Sequence, residues 1–151
     1  MYLFEKYLLR DNESNWVHRA LTDNSYKKVY ERENGKKYTD TVNTDLATYG
    51  DSIIRFCFLE IMFDKVDELS NEKSIYESDK YLIEKVAEHY GLLEYMRTDK
   101  EDPNRPKEYI CNDDSTKYIA TAVEAMIGAI YKETNDLKPI VELLDSWRRF
   151  W

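Results

Sequence analysis

Two carboxylates stand where carboxylates are costly. Asp51 follows Gly50 inside T-D-L-A-T-Y-G-D-S-I-I-R-F-C-F-L-E (residues 44–60). Glu124 lies inside K-Y-I-A-T-A-V-E-A-M-I-G-A-I-Y (residues 117–131), with Gly128 one turn further on. Both runs are otherwise apolar along one side. An ionised carboxylate leaning toward an apolar interior is expensive unless a cation, a metal or hydrogen bonds meet it. Taken alone, each acid reads most simply as a half-exposed group at the margin of a stripe. Taken as a pair, each near a small residue, they read as two closely packed helices sharing a charged site.

The elements that position them follow from periodicity. Leu46, Tyr49, Ile53, Ile54, Cys57 and Ile61 recur at helical spacing, as do Ile119, Val123, Met126, Ile127 and Ile130. Glycine inside a helix costs about 1 kcal/mol relative to alanine, so Gly50 and Gly128 need a packing reason. Residues 2–9 read as a short helix with Leu3, Phe4, Tyr7 and Leu8 inward. Asn12 to Ser14 offer a cap for a second helix carrying Trp16, Val17, Ala20 and Leu21, with His18 on its solvated side. Residues 27–41, charged and interrupted by Asn34-Gly35, read as a loop whose interleaved lysines and tyrosines are mainly solvated. Residues 64–77 suggest one short helix between loops. Ser78-Asp79 caps a helix with Leu82, Ile83, Val86 and Tyr90 inward and Gly91 as its stop. Residues 98–116, with P-N-R-P at their middle, form the longest loop and lead into the Glu124 run. A last helix starts at Asn135-Asp136 and buries Leu137, Ile140, Leu144, Trp147 and Trp151.

Composition bounds the function. The 151 residues include only four glycines and three prolines and are 34% charged, which favours one all-α domain over residues 1–151. Two cysteines, Cys57 in a stripe and Cys111 in a polar loop, give neither a disulfide framework nor a paired-cysteine metal site, and point to a reducing, cytoplasmic compartment. M-Y-L-F-E-K is not a signal peptide, and no apolar run approaches the ~20 residues that span a bilayer. A net charge of −8 argues against gripping nucleic acid by bulk electrostatics, though acids collect the metal ions through which an acidic protein meets phosphate.

The runs together resemble the ribonuclease III endonuclease domain. The first is similar to the signature N-E-R-L-E-F-L-G-D-A-V-L at Asn43, Leu46, Gly50, Asp51 and Ile54. The second is similar to L-A-D-A-F-E-A-L-I-G-A-I-Y, standing here as I-A-T-A-V-E-A-M-I-G-A-I-Y. Arg19-Ala-Leu-Thr22 with Ser25-Tyr26 resembles R-A-L-T-H-x-S-Y, and residues 87–97 resemble A-x-x-L-G-L-x-x-Y-L-R. The likeness is collinear over nearly the whole chain. It implies seven or eight helices, a two-fold homodimer joined along the signature helices, and a groove for double-stranded RNA. No double-stranded-RNA-binding domain is expected within these residues.

The resemblance also says what is missing. The family's two signature glutamates fall at Thr44 and Ala47, only the second of them a metal ligand, and the aspartate of L-A-D falls at Thr121, so of the four central acids Asp51 and Glu124 alone remain. At about 100° per residue, Asp45 lies about 240° and Glu60 about 180° around the helix from Asp51, so neither can stand in. The pattern Ala47/Thr121 with Asp51/Glu124 is similar to that of the Mini-ribonuclease III branch, which however lacks the R-A-L-T…S-Y helix kept here. Carried over, the resemblance makes Asp51 and Glu124 the catalytic pair holding Mg²⁺ or Mn²⁺. Thr44, Ala47 and Thr121 become supporting positions, and Lys117, where Dicer-type relatives also carry lysine, becomes an RNA-phosphate contact. The competing reading is an inactive dimeric scaffold, in which Arg55, four residues after Asp51, neutralises it by an ion pair and leaves no place for a metal.

Overall fold

The structure, a computed structural model, describes residues 3–65, 67–100, 108–112 and 115–150. The P-N-R-P segment and Trp151 named above lie outside them. The described residues are helical without a strand, as the composition implies. Helix α1 is Leu3–Leu8, α2 Asn15–Ala20, α3 Tyr26–Asn34, α4 Thr44–Met62 and α5 Leu69–Glu77. Helix α6 (Asp79–Tyr81) continues through a π-helical stretch, Leu82–Ala87, into α7 (Glu88–Tyr90). Then come α8 (Lys117–Thr134) and α9 (Lys138–Trp147). Counting α6 to α7 as one rod, these are eight helices.

Helices α4 and α8 form the centre. Leu46, Ile53, Ile54, Cys57, Phe58 and Ile61 of α4 are buried, as are Ile119, Val123, Met126, Ile127 and Ile130 of α8, so both apolar stripes face inward. Around them α9 contributes Ile140, Leu144 and a fully buried Trp147. That tryptophan is held at both ends: its indole N–H donates to the Tyr90 hydroxyl at 2.8 Å, and its carbonyl accepts from the Tyr81 hydroxyl. Phe4 of α1 stacks on Tyr90 with ring centroids 4.3 Å apart, closing the core from the N-terminal side.

The motif residues outside the acid pair act as ties. Arg97 makes two 2.7 Å bonds to the Asp11 carboxylate, reaches the Thr22 hydroxyl at 2.9 Å through Nε, and donates to the His18 carbonyl at 2.8 Å. Buried Asn43 donates its backbone N–H to the Thr22 carbonyl and its side-chain amide to the Ala20 carbonyl, which pins the start of α4 to the end of α2. The charged Arg97–Asp11 bonds are among the stronger ones and fasten the segment after α7 to α2 and the turn before it, while the neutral Asn43 bonds set where α4 begins.

Four sequence expectations change. Residues 27–41 are not all loop: α3 occupies Tyr26–Asn34, and Asn34-Gly35 is its stop, Gly35 adopting φ +66°. The helix has no buried residue and is fixed instead by Tyr26 and Tyr30 packing edge-on to Tyr38 at 5.9 and 5.1 Å. Asn135 ends α8 in the left-handed conformation rather than starting α9, and Asp136 lies before α9, its carboxylate accepting from the Lys138 N–H at 3.0 Å. Tyr49 lies outside the buried stripe, 39% exposed, against Tyr131 and Lys132. His18 is half-buried rather than solvated, with Nδ1 3.5 Å from Asp11.

Candidate active site

Two glycines let α4 and α8 touch, and that contact brings the acids together. A Cβ at Gly50 would lie 1.7 Å from the Glu124 carbonyl oxygen, and one at Gly128 would lie 2.5 Å from the Leu46 carbonyl oxygen. The backbones therefore meet at two points one turn apart, running in opposite directions. Asp51 is the residue after one contact glycine, and Glu124 is the other helix's contact residue. The side chains of both are half-buried at the rim of the crossing.

Their electrostatics are those of a crowded acid pair. Burial pushes the Glu124 carboxyl up to about 8. A hydrogen bond to Asp51, the Asp51 charge and the more distant Asp79 charge push the same way, while Arg55 pulls back. Glu124 so raised is the donor to Asp51. On its other side Asp51 accepts from Arg55, whose Nε lies 3.3 Å from Oδ1 and 3.2 Å from Oδ2. This pair is open to water, the Arg55 side chain being 59% exposed. Exposed i,i+4 pairs are worth about 0.3–0.5 kcal/mol, far less than a divalent ion gains from carboxylates. Arg55 thus covers Asp51 without locking it.

The other expected site residues lie on the same two helices and differ in exposure. Thr121, one turn before Glu124, is half-exposed and donates its hydroxyl to the Lys117 carbonyl at 3.1 Å, so its lone pairs are what it can offer the site. Ala47 is 8% exposed and packed into the seam. Thr44, at the exposed first residue of α4, accepts through its carbonyl from Thr48 at 3.3 Å. Lys117 is exposed at the start of α8, two turns from Glu124. Asp79 was read from sequence only as part of a helix cap. Its approach to Glu124 joins segments 45 residues apart, and nothing local signals it.

A metal can be matched against these donors. Two carboxylates that repel each other and share a proton are hard oxygen ligands whose repulsion a divalent cation would relieve, so they fit a hydrated ion of the Mg²⁺ or Mn²⁺ kind. The described residues contain no group of three or more His, Cys, Asp or Glu able to hold a metal by itself, Asp79 included. Among the described residues, then, the protein oxygens that two acids offer an ion are those of Asp51 and Glu124. A hollow of about 160 Å³ lies elsewhere, lined by His18, Tyr26, Tyr30, Tyr38, Asp40 and Arg97, and includes no member of the acid pair.

Residues 44–135, which carry both acids and both glycines, match the model of the Ribonuclease III domain. Two curated proteins named Ribonuclease 3, from two strains of Clostridium kluyveri, are each 27% identical over 142 residues, covering 91% of this chain and 53% of theirs. The chain thus spans about half the length of these relatives. No solved structure matches it.

Proposed function

The chain belongs to the ribonuclease III family, and on that premise we propose that it is a metal-dependent endoribonuclease cutting double-stranded RNA as a cytoplasmic homodimer. The observation that carries the reading is the meeting of Asp51 and Glu124 across the Gly50/Gly128 crossing. A chain that had only kept the fold would have no need to hold two carboxylates together at the cost of a raised Glu124 carboxyl.

Asp51 and Glu124 would hold the ion, which the family generally uses in divalent form. When bound, such an ion supplies Lewis acidity to a water and to the scissile phosphate. Glu124 has to give up the proton it shares with Asp51, so binding favours the alkaline side of neutrality. Thr121 and Thr44 offer hydroxyl oxygens to waters near the acids, and Lys117 offers an ammonium to a backbone phosphate. Ala47 contributes no charge.

Homodimer formation is supported by one exposed stripe. Tyr49, Phe56 and Phe63 stand seven residues apart on and just beyond α4 and are 39%, 48% and 63% exposed. Phe58, which lies between Phe56 and Phe63 in sequence, is not part of that face but fully buried against Tyr76. A second copy laid along the stripe would cover it. Phe56→Asp is therefore expected to convert a dimer to a monomer in sedimentation equilibrium at micromolar concentration, with helicity unchanged. A wild-type monomer would remove the dimer.

The inactive-scaffold reading has the Arg55–Asp51 pair in its favour. A metal titration of duplex-RNA cleavage separates the two. Wild type is expected to need ion in the millimolar range, and Ala47→Glu with Thr121→Asp to lower that need about tenfold by adding two negative ligands. Ala47 is packed in, so the double variant is also expected to lose about 1–2 kcal/mol of stability. No cleavage by either folded protein at any Mn²⁺ level would leave the scaffold.

A further inference from the structure

Resting on the nuclease reading, we propose that Arg55 is a phosphate-positioning residue that changes partner: it covers Asp51 in the ion-free protein and grips a duplex phosphate once a divalent ion takes Asp51. The geometry supplies both halves. Nε lies 3.2–3.3 Å from both Asp51 oxygens, which makes the contact real, and the side chain is 59% exposed, which makes it easy to leave. Arg55 also acts on Glu124, so its charge faces both members of the acid pair.

Charge arithmetic says why the second partner is phosphate. A divalent ion balances two ionised carboxylates and leaves the pair near neutrality, in a chain of net charge −8. Approach of a polyanion to that point needs a further positive group, and the guanidinium released from Asp51 stands there already. A guanidinium carries five N–H donors in a planar fork that matches phosphate oxygens two at a time, so those beyond Nε are available to a second partner. Lys117, at the start of α8, is two turns from the pair on its own helix. Arg55 is bonded to the pair directly, which assigns the phosphate nearest the acids to Arg55.

The test uses the full chain as wild type, Arg55→Gln and Arg55→Lys, with circular dichroism establishing that all three fold alike. Free Mn²⁺ is counted by electron paramagnetic resonance without RNA, and binding of a short labelled RNA duplex is followed by anisotropy across a salt series, in EDTA and again with Ca²⁺. Arg55→Gln is expected to bind Mn²⁺ about twofold more tightly, because a weak competitor has gone. With Ca²⁺ it should bind the duplex about tenfold more weakly, and its log–log salt dependence should be shallower by about one. In EDTA both effects should shrink to less than about twofold and to no change in slope, and Arg55→Lys should recover the slope but only part of the affinity. Equal duplex affinity and slope for Arg55→Gln and wild type with Ca²⁺ would leave Arg55 a surface ion pair and overturn the proposal. An equal loss in EDTA and Ca²⁺ would also overturn it, because the partner change would be absent. A wild type that binds neither Mn²⁺ nor duplex removes the nuclease reading itself, a result distinct from either of these.

Discussion

Gly50→Ala is expected to lower stability by about 3 kcal/mol or more, placing it among the most damaging single changes available to this chain. The added carbon would stand 1.7 Å from the Glu124 carbonyl oxygen, 2.7 Å from the carbonyl carbon of the same residue and 3.0 Å from the Gly128 nitrogen. All three are backbone atoms of α8, so no rotamer change relieves the contact. Either α4 and α8 part along their length, exposing stripes that are now fully buried, or one helix bends. Gly35→Ala is the internal control. Nothing lies within 4 Å of a Cβ there, and only its φ of +66° opposes the side chain, so its cost should be about 1 kcal/mol. At about 2–4 °C per kcal/mol for a chain this size, the melting temperatures of the two variants should differ by several degrees. Urea unfolding of both gives the comparison directly. A Gly50→Ala protein within 1 kcal/mol of wild type would mean that the helices do not cross where the site requires.

The same crossing explains how far the sequence could be read. Gly50 and Gly128 interrupt two stripes that have no other reason for glycine, and each lies within a turn of an acid, so the approach of Asp51 to Glu124 is written in spacing alone. Arg55 is legible for a similar reason, because an acid and an arginine four residues apart on one helix face each other. Contacts between distant segments are less visible. Asp79 acts on Glu124 by its charge from another helix, and its sequence context announces only a helix start. Helix α3 is hidden because it buries nothing: its side chains lean on Tyr38, so no apolar stripe marks it, and its glycine stop imitates a turn. Phe56, Phe58 and Phe63 look alike in composition, yet at about 100° per residue Phe58 points roughly opposite to Phe56, and the structure puts it inside. Thr22, Asn43 and Arg97 belong to motifs whose resemblance suggested function; their hydrogen bonds make them ties, Arg97 to Thr22 and Asn43 to the end of α2, where α4 is anchored.

Glu124→Gln is expected to abolish duplex-RNA cleavage, a loss of at least about 10³-fold, while making the folded protein more stable at alkaline pH. The two effects have one origin. Glu124 is held above its ordinary range first by burial, then by Asp51 as hydrogen-bond partner and as charge, and its value of about 8 compares with 4.5 in the unfolded chain. Between those values the folded state binds more protons than the unfolded one. The stabilisation from protonated Glu124 is thus complete below about pH 4.5 and is lost as pH rises through about 8. Glutamine keeps the donor that the protonated acid presents to Asp51 and has no proton to lose, so this sloping contribution should vanish. The gain at pH 8 to 9 should be on the order of 1 kcal/mol, because a half-exposed carboxyl is partly screened by solvent. Glutamine also cannot become the anionic ligand that ion binding requires, so the change that steadies the fold empties the chemistry. Chemical unfolding of both proteins from pH 5 to 9, beside cleavage assays with Mn²⁺, measures the pair of effects. A destabilised Glu124→Gln at pH 8 would mean that the charged carboxylate is a structural partner of Arg55, and cleavage retained within tenfold of wild type would remove Glu124 from the catalytic pair.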